Sequence, residues 1–79
     1  MTMEQKIKQD SIHIGANIRR IRLDRNIKQV ELVAMLDLQG VYITRECLVK
    51  IERGIQHIRA TQLKAIKECL NTTYEELLK

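Results

Sequence analysis

Between Lys28 and Gly54 an apolar pattern with helical period runs for about three turns, breaks at Gly40 and starts again behind Thr44. Leu32, Val33 and Leu36 share one face of the first segment, and Cys47, Leu48 and Ile51 share one face of the second. Two helices joined by so short a link must bury those faces against each other and a common core, so this stretch commits the chain to helix packing. The first helix is expected from Gln29 to Gln39, with Glu31 in its first turn, where a carboxylate suits the positive helix end. Gly40 supplies the backbone freedom to leave it. Val41, Tyr42 and Ile43 connect, Thr44 is placed to cap the second helix through its hydroxyl, and that helix runs from Arg45 to about Arg53, ending at Gly54.

The flanking sequence repeats the pattern. Ile14, Ile18 and Ile21 recur on one face of a helix capped by Ser11 and running to about Arg25. Ile12, Ala16 and Leu23 fall on its opposite side, a second apolar stripe that is covered by the C-terminal helix, covered by a second protomer, or simply scattered on the surface. After the loop 55–60, Leu63, Ile66 and Leu70 mark a fourth helix. Thr73 and Glu76 have the spacing of a capping box and open a short fifth helix with Tyr74, Leu77 and Leu78. Residues 1–10 lack an apolar face and read as a frayed arm. The expected architecture is therefore all-α: five short helices over 11–79, in one domain, since 79 residues leave no room for a second.

Composition narrows the function. The net charge is +4, and its excess sits early: residues 1–30 carry seven Lys/Arg against three Asp/Glu, whereas 31–54 are three against four and 55–79 four against three. Such a chain favours a polyanionic partner. Only Tyr42 and Tyr74 are aromatic, too few for a platform on which single-stranded bases stack. No glycine-rich phosphate loop occurs, and Ser11 near His13 is explained by a helix start, so no catalytic residue and no cofactor is assigned. His13, Cys47, His57 and Cys69 lack paired metal-ligand spacing. The two cysteines read as small buried hydrophobes in a reducing, cytoplasmic setting, and no apolar run is long enough for a membrane span.

On the third helix Arg45, Glu46, Val49, Lys50 and Arg53 recur on the outward side. Together with Ile18-x-x-Ile21-Arg22, Gln29-x-Glu31-Leu32, Leu48-x-x-Ile51-Glu52-Arg53-Gly54, Leu63-x-x-Ile66, Leu70-Asn71 and Glu75-Glu76-Leu77-Leu78, this order of motifs resembles the Cro/lambda-repressor-like, or XRE-type, helix-turn-helix regulators over residues 14–79. The resemblance implies a lambda-repressor-like domain whose helix-turn-helix spans about 29–53 and enters the major groove of double-stranded DNA. It assigns base contacts to Arg45, Glu46, Val49 and Lys50. It assigns phosphate contacts to Lys28, Gln29, Thr44 and Arg53, and a structural ion pair to Arg22 and Glu52. It also implies a nucleoid-associated bacterial or mobile-element repressor working as a homodimer on a two-fold operator, with a protein antagonist or co-regulator as a further partner.

The chain departs from that pattern at Lys28, Arg59 and Ala60, where relatives carry capping residues, so two helix starts are expected to lack a side-chain cap. Val33 and Asp37 replace the family's Ala and Gly, and the link 37–44 is longer than the short form. For Glu46 and Lys50 an i, i+4 surface ion pair is the competing role. The competing function is an antitoxin-like or adaptor module on the same fold, which would depend on the Ile12, Ala16 and Leu23 stripe instead of the basic residues.

Overall fold

A computed structural model describes residues 6–7 and 13–79. Its helices are α1 (Ile14–Asp24), α2 (Gln29–Leu38), α3 (Arg45–Glu52), α4 (Ala60–Cys69) and α5 (Tyr74–Leu77). Two residues of extended backbone, β1 (Lys6–Ile7), pair antiparallel with β2 (Ile58–Arg59) in the register Lys6 to Arg59 and Ile7 to Ile58. The all-α expectation holds, with this ribbon as the addition. The remainder of the arm at 1–10, Ser11 and Ile12 lie outside the described residues.

The expected apolar faces meet in one core. Ile14, Ile18, Leu32, Leu36, Leu48, Ile51, Ile66, Leu70 and Leu77 are all sealed from solvent, with Ile21 and Leu63 nearly so. Burying each such side chain stabilises the fold by about 1.5 to 3 kcal/mol before the entropy of ordering it is subtracted. Helix α3 packs on α1 and on α2, α2 also packs on α4, and α5 closes against α1. Asn17 helps to hold that closure, its amide donating to the Leu77 carbonyl oxygen at 2.9 Å. Ile58 is equally buried although it stands in what the sequence presents as a loop; one apolar residue beside polar neighbours has no period to betray it. Tyr74 and Leu78, the other apolar residues of this last segment, are exposed, and Tyr74 lies under the Lys67 ammonium at 4.9 Å from the ring centre.

Helices α1 to α4 all end in the same way. The residue after the C-cap takes a left-handed backbone (Asn26, Gly40, Gly54, Asn71), and the next N–H reaches back to a carbonyl in the last turn: Ile27 to Arg22, Val41 to Leu36, Ile55 to Lys50, Thr72 to Lys67. This Schellman arrangement satisfies carbonyls that a helix end otherwise leaves bare.

The helix starts depart from the sequence reading. Helix α1 begins behind His13, which gives it no side-chain cap, while Ser11, the cap expected from the sequence, lies outside the described residues. As expected, neither Lys28 nor Arg59 caps its helix through its own side chain, but each start has a bond from the other direction. Glu31 Oε1 accepts from the Lys28 N–H at 2.8 Å, and Gln62 Oε1 accepts from the Arg59 N–H at 2.9 Å. These are the reciprocal halves of capping boxes whose first position is unsuited to accept. Thr73 caps α5 through the Glu76 N–H at 3.2 Å, but the Glu76 carboxylate turns to Lys79 and Arg20.

Candidate nucleic-acid interface

Helix α3 is placed by two features of its own sequence. Thr44 Oγ1 accepts from the Cys47 N–H at 3.0 Å and fixes the first turn. Leu48 and Ile51 anchor the inner side, leaving Arg45, Glu46, Lys50 and Arg53 exposed and Val49 half-buried. With three cations and one anion the exposed side is net positive. Glu46 and Lys50 form no ion pair with each other within 4.0 Å, so the surface-pair alternative is not realised.

Of the ten residues assigned from the sequence, nine divide into three groups and the tenth, Glu52, is buried beneath them. Arg45 turns toward the start of α2, where it lines an open groove together with Arg19, Arg22, Lys28, Gln29 and Val30. Glu46, Lys50 and Arg53 form the free outward stripe, with Val49 at its edge. Thr44 stands apart on a second groove between the α2–α3 link and the 55–59 loop, alongside Tyr42, Cys47, Ile55 and His57. Arg45 thus shares a groove with Lys28 and Gln29 that Lys50 does not line.

Beneath the first groove, Arg22 and Glu52 join α1 to α3 through two parallel bonds, Nε to Oε2 at 2.7 Å and Nη2 to Oε1 at 2.9 Å. Arg22 Nη1 donates to the Ile27 carbonyl oxygen at 2.8 Å, and Gln29 Nε2 donates to Glu52 Oε1 at 3.1 Å. Both charged side chains are nearly sealed from water. The Gln29 amide therefore has one proton committed to the carboxylate and its oxygen left to the groove. The guanidinium plane and the start of α2 are held in one piece, which is the kind of fixed support a recognition surface needs.

Arg19 was not singled out from the sequence. It lies one turn before Arg22 on α1, and that i, i+3 relation to a buried arginine is the signal that would have found it. Its side chain is exposed and lines the same groove as Arg45. Arg19, Lys28 and Arg45 bring three cations from three helices to one concavity whose lining contains no acidic side chain.

No known protein family, curated protein or solved structure matches the chain. The surface must be read from its own chemistry. Among the described residues no three His, Cys, Asp or Glu side chains converge as metal ligands, and no helix is long and apolar enough to cross a membrane. Cys47 accepts a hydrogen bond from Gln56 Nε2 at 2.9 Å. Burial, with the Glu68 carboxylate adding to it, pushes the pKa of the Cys69 thiol up from its ordinary value.

Proposed function

We propose that the protein is a double-stranded-DNA-binding transcriptional regulator, acting by occupancy as a repressor, with α2, the link 39–44 and α3 serving as its helix-turn-helix. The observation that carries the reading is the groove where Arg19, Lys28 and Arg45 converge beside an exposed α3 stripe of Glu46, Lys50 and Arg53. A phosphodiester backbone is the polyanion that suits three cations and the start of a helix together. An eight-residue helix, about 12 Å long, suits insertion into a major groove about 12 Å wide.

The roles follow from chemistry. Lys50 donates to guanine O6 and N7, Glu46 accepts from a cytosine amino group, and Val49 packs on a thymine methyl. Lys28 and Arg19 neutralise phosphates on one strand, Gln29 donates its remaining amide proton to one, and Thr44, whose oxygen caps α3, still has its proton to donate to a phosphate. Arg45, turned into the groove, divides its guanidinium between phosphate and base edge. One small module offers limited area, so two copies on a two-fold site are expected, with half-sites about 34 Å apart or a multiple of that.

The test is selection of bound sequences from a pool of random duplexes at fixed salt, for the parent and for Arg45→Ala/Lys50→Ala. A short motif enriched by the parent and blurred in the variant supports the reading. Binding that enriches nothing and disappears with salt favours the adaptor alternative instead, for which the exposed Ala16 and Leu23 on α1 are the specific observation.

A further inference from the structure

The second groove, between the α2–α3 link and the 55–59 loop, contributes only Thr44 to the DNA contacts proposed above. It is open, about 660 Å³, and shares no lining residue with the groove of Arg19, Lys28 and Arg45. Its walls are already tied together. Gln56 Nε2 donates to Cys47 Sγ at 2.9 Å and joins the loop to α3. Ile58, sealed in the core, anchors the loop from within, and Gln62 holds the Arg59 N–H. A groove fixed in this way loses little conformational freedom when a partner enters.

Its lining combines two kinds of side chain. Tyr42 on the link wall is 78% exposed and Ile55 on the loop wall 64%, with the half-buried Ile43 also in the lining. Large apolar side chains left to water on facing walls mark a contact surface. Arg59 adds a guanidinium that enters no ion pair among the described residues, His57 adds a polar ring, and no acidic side chain lines the groove. A phosphodiester backbone would bring repeated charge to a single guanidinium among apolar side chains. A small molecule would stay largely in water on so open a surface, whereas ligand pockets enclose most of what they bind. A chain segment suits both features, its apolar side chains meeting Tyr42 and Ile55 while one carboxylate forks onto Arg59.

We propose that this groove docks an extended acidic segment of a partner protein, in which apolar residues flank an aspartate or glutamate. Docking itself does not depend on DNA. Where the regulator reading holds, the segment covers Thr44 and takes the place of the phosphate assigned there, so segment and duplex exclude each other.

Panning a phage-displayed library of random linear peptides on the full chain without DNA, followed by fluorescence anisotropy of an enriched peptide, tests this. Enriched peptides are expected to share apolar residues around a carboxylate. Tyr42→Ala and Arg59→Glu, both at exposed side chains, are expected to weaken binding by roughly tenfold or more with helical circular dichroism unchanged. A peptide with an ammonium in place of the carboxylate should recover affinity for Arg59→Glu, and Leu23→Ser, on the exposed stripe of α1, should change nothing. No enrichment, peptides without a carboxylate, indifference to Arg59→Glu, or a loss on Leu23→Ser overturns the proposal. So does a duplex that loses affinity with Ile55→Ser while the peptide keeps its own, which gives the groove to DNA. The regulator reading fails separately, when selection among duplexes enriches nothing.

Discussion

Arg22 and Glu52 face each other side-on across α1 and α3, and the same carboxylate oxygen that takes the Arg22 Nη2 proton also takes one from Gln29. Three helices are thereby tied at one buried point. Removing one partner leaves the other charge sealed without compensation, which costs about 3 to 5 kcal/mol. Chemical denaturation of Glu52→Ala is expected to show a loss of that size. The double variant Arg22→Met/Glu52→Leu is expected to be markedly more stable than either single truncation, because an apolar pair avoids the stranded charge.

Gly40 ends α2 at φ +78°, and a Cβ built there meets no heavy atom within 4 Å. The cost of Gly40→Ala is then backbone strain alone, about 1 kcal/mol, and a thermal midpoint lower by about 4 to 8 °C is expected for a domain of this size. Gly40→Asn should lose less, since Asn26 and Asn71 already hold the same backbone at the ends of α1 and α4. Equal losses for Ala and Asn would mean that packing, not φ, governs the turn.

Cys69 supplies a pH dependence whose sign is fixed by its environment. Its native pKa is raised above the unfolded value by burial and by Glu68, so the folded chain keeps its proton where the unfolded chain has lost it. The contribution to stability is complete below the unfolded pKa and is lost as pH rises from there through the higher folded pKa. Unfolding midpoints of the parent are expected to fall more steeply at alkaline pH than those of Cys69→Ala. Alkylation of Cys69 by a thiol reagent should also lag behind that of a free thiol until alkaline pH.

What was legible in the sequence is what repeats. The spacings Ile14, Ile18, Ile21 and Leu48, Ile51 fix helices and their inner sides, because burial imposes the helical period on apolar residues, and those elements stand within a residue or two of the expected bounds. Contacts made by single residues leave no such trace. Ile58 is one buried apolar side chain in a loop, and the caps at Lys28 and Arg59 come from Glu31 and Gln62 three residues downstream. In the candidate site, exposure was readable for Arg45, Glu46, Lys50 and Arg53 from the helix pattern. The partition of Arg45 from Lys50, and the arrival of Arg19 beside Lys28, depend on how α1, α2 and α3 pack, which periodicity within one helix does not encode.

That packing yields the most discriminating expectation about the surface. If Lys28 neutralises a phosphate and Lys50 reads a base, the two alanine variants must fail differently. Lys28→Ala should weaken binding to all duplexes by a similar factor and reduce the slope of log affinity against log salt by about 1, since one fewer counterion is released. Lys50→Ala should cost about 1 to 3 kcal/mol on the preferred site and relax selectivity at one base position. Arg45→Ala, from its place in the groove, is expected to show both signatures in part. The measurement is a salt titration of each variant on the selected site and on a scrambled duplex. If Lys50→Ala behaves as Lys28→Ala does, with a changed slope and unchanged selectivity, then the outward stripe of α3 touches backbone rather than bases, and the reading surface lies on the groove side, around Arg45.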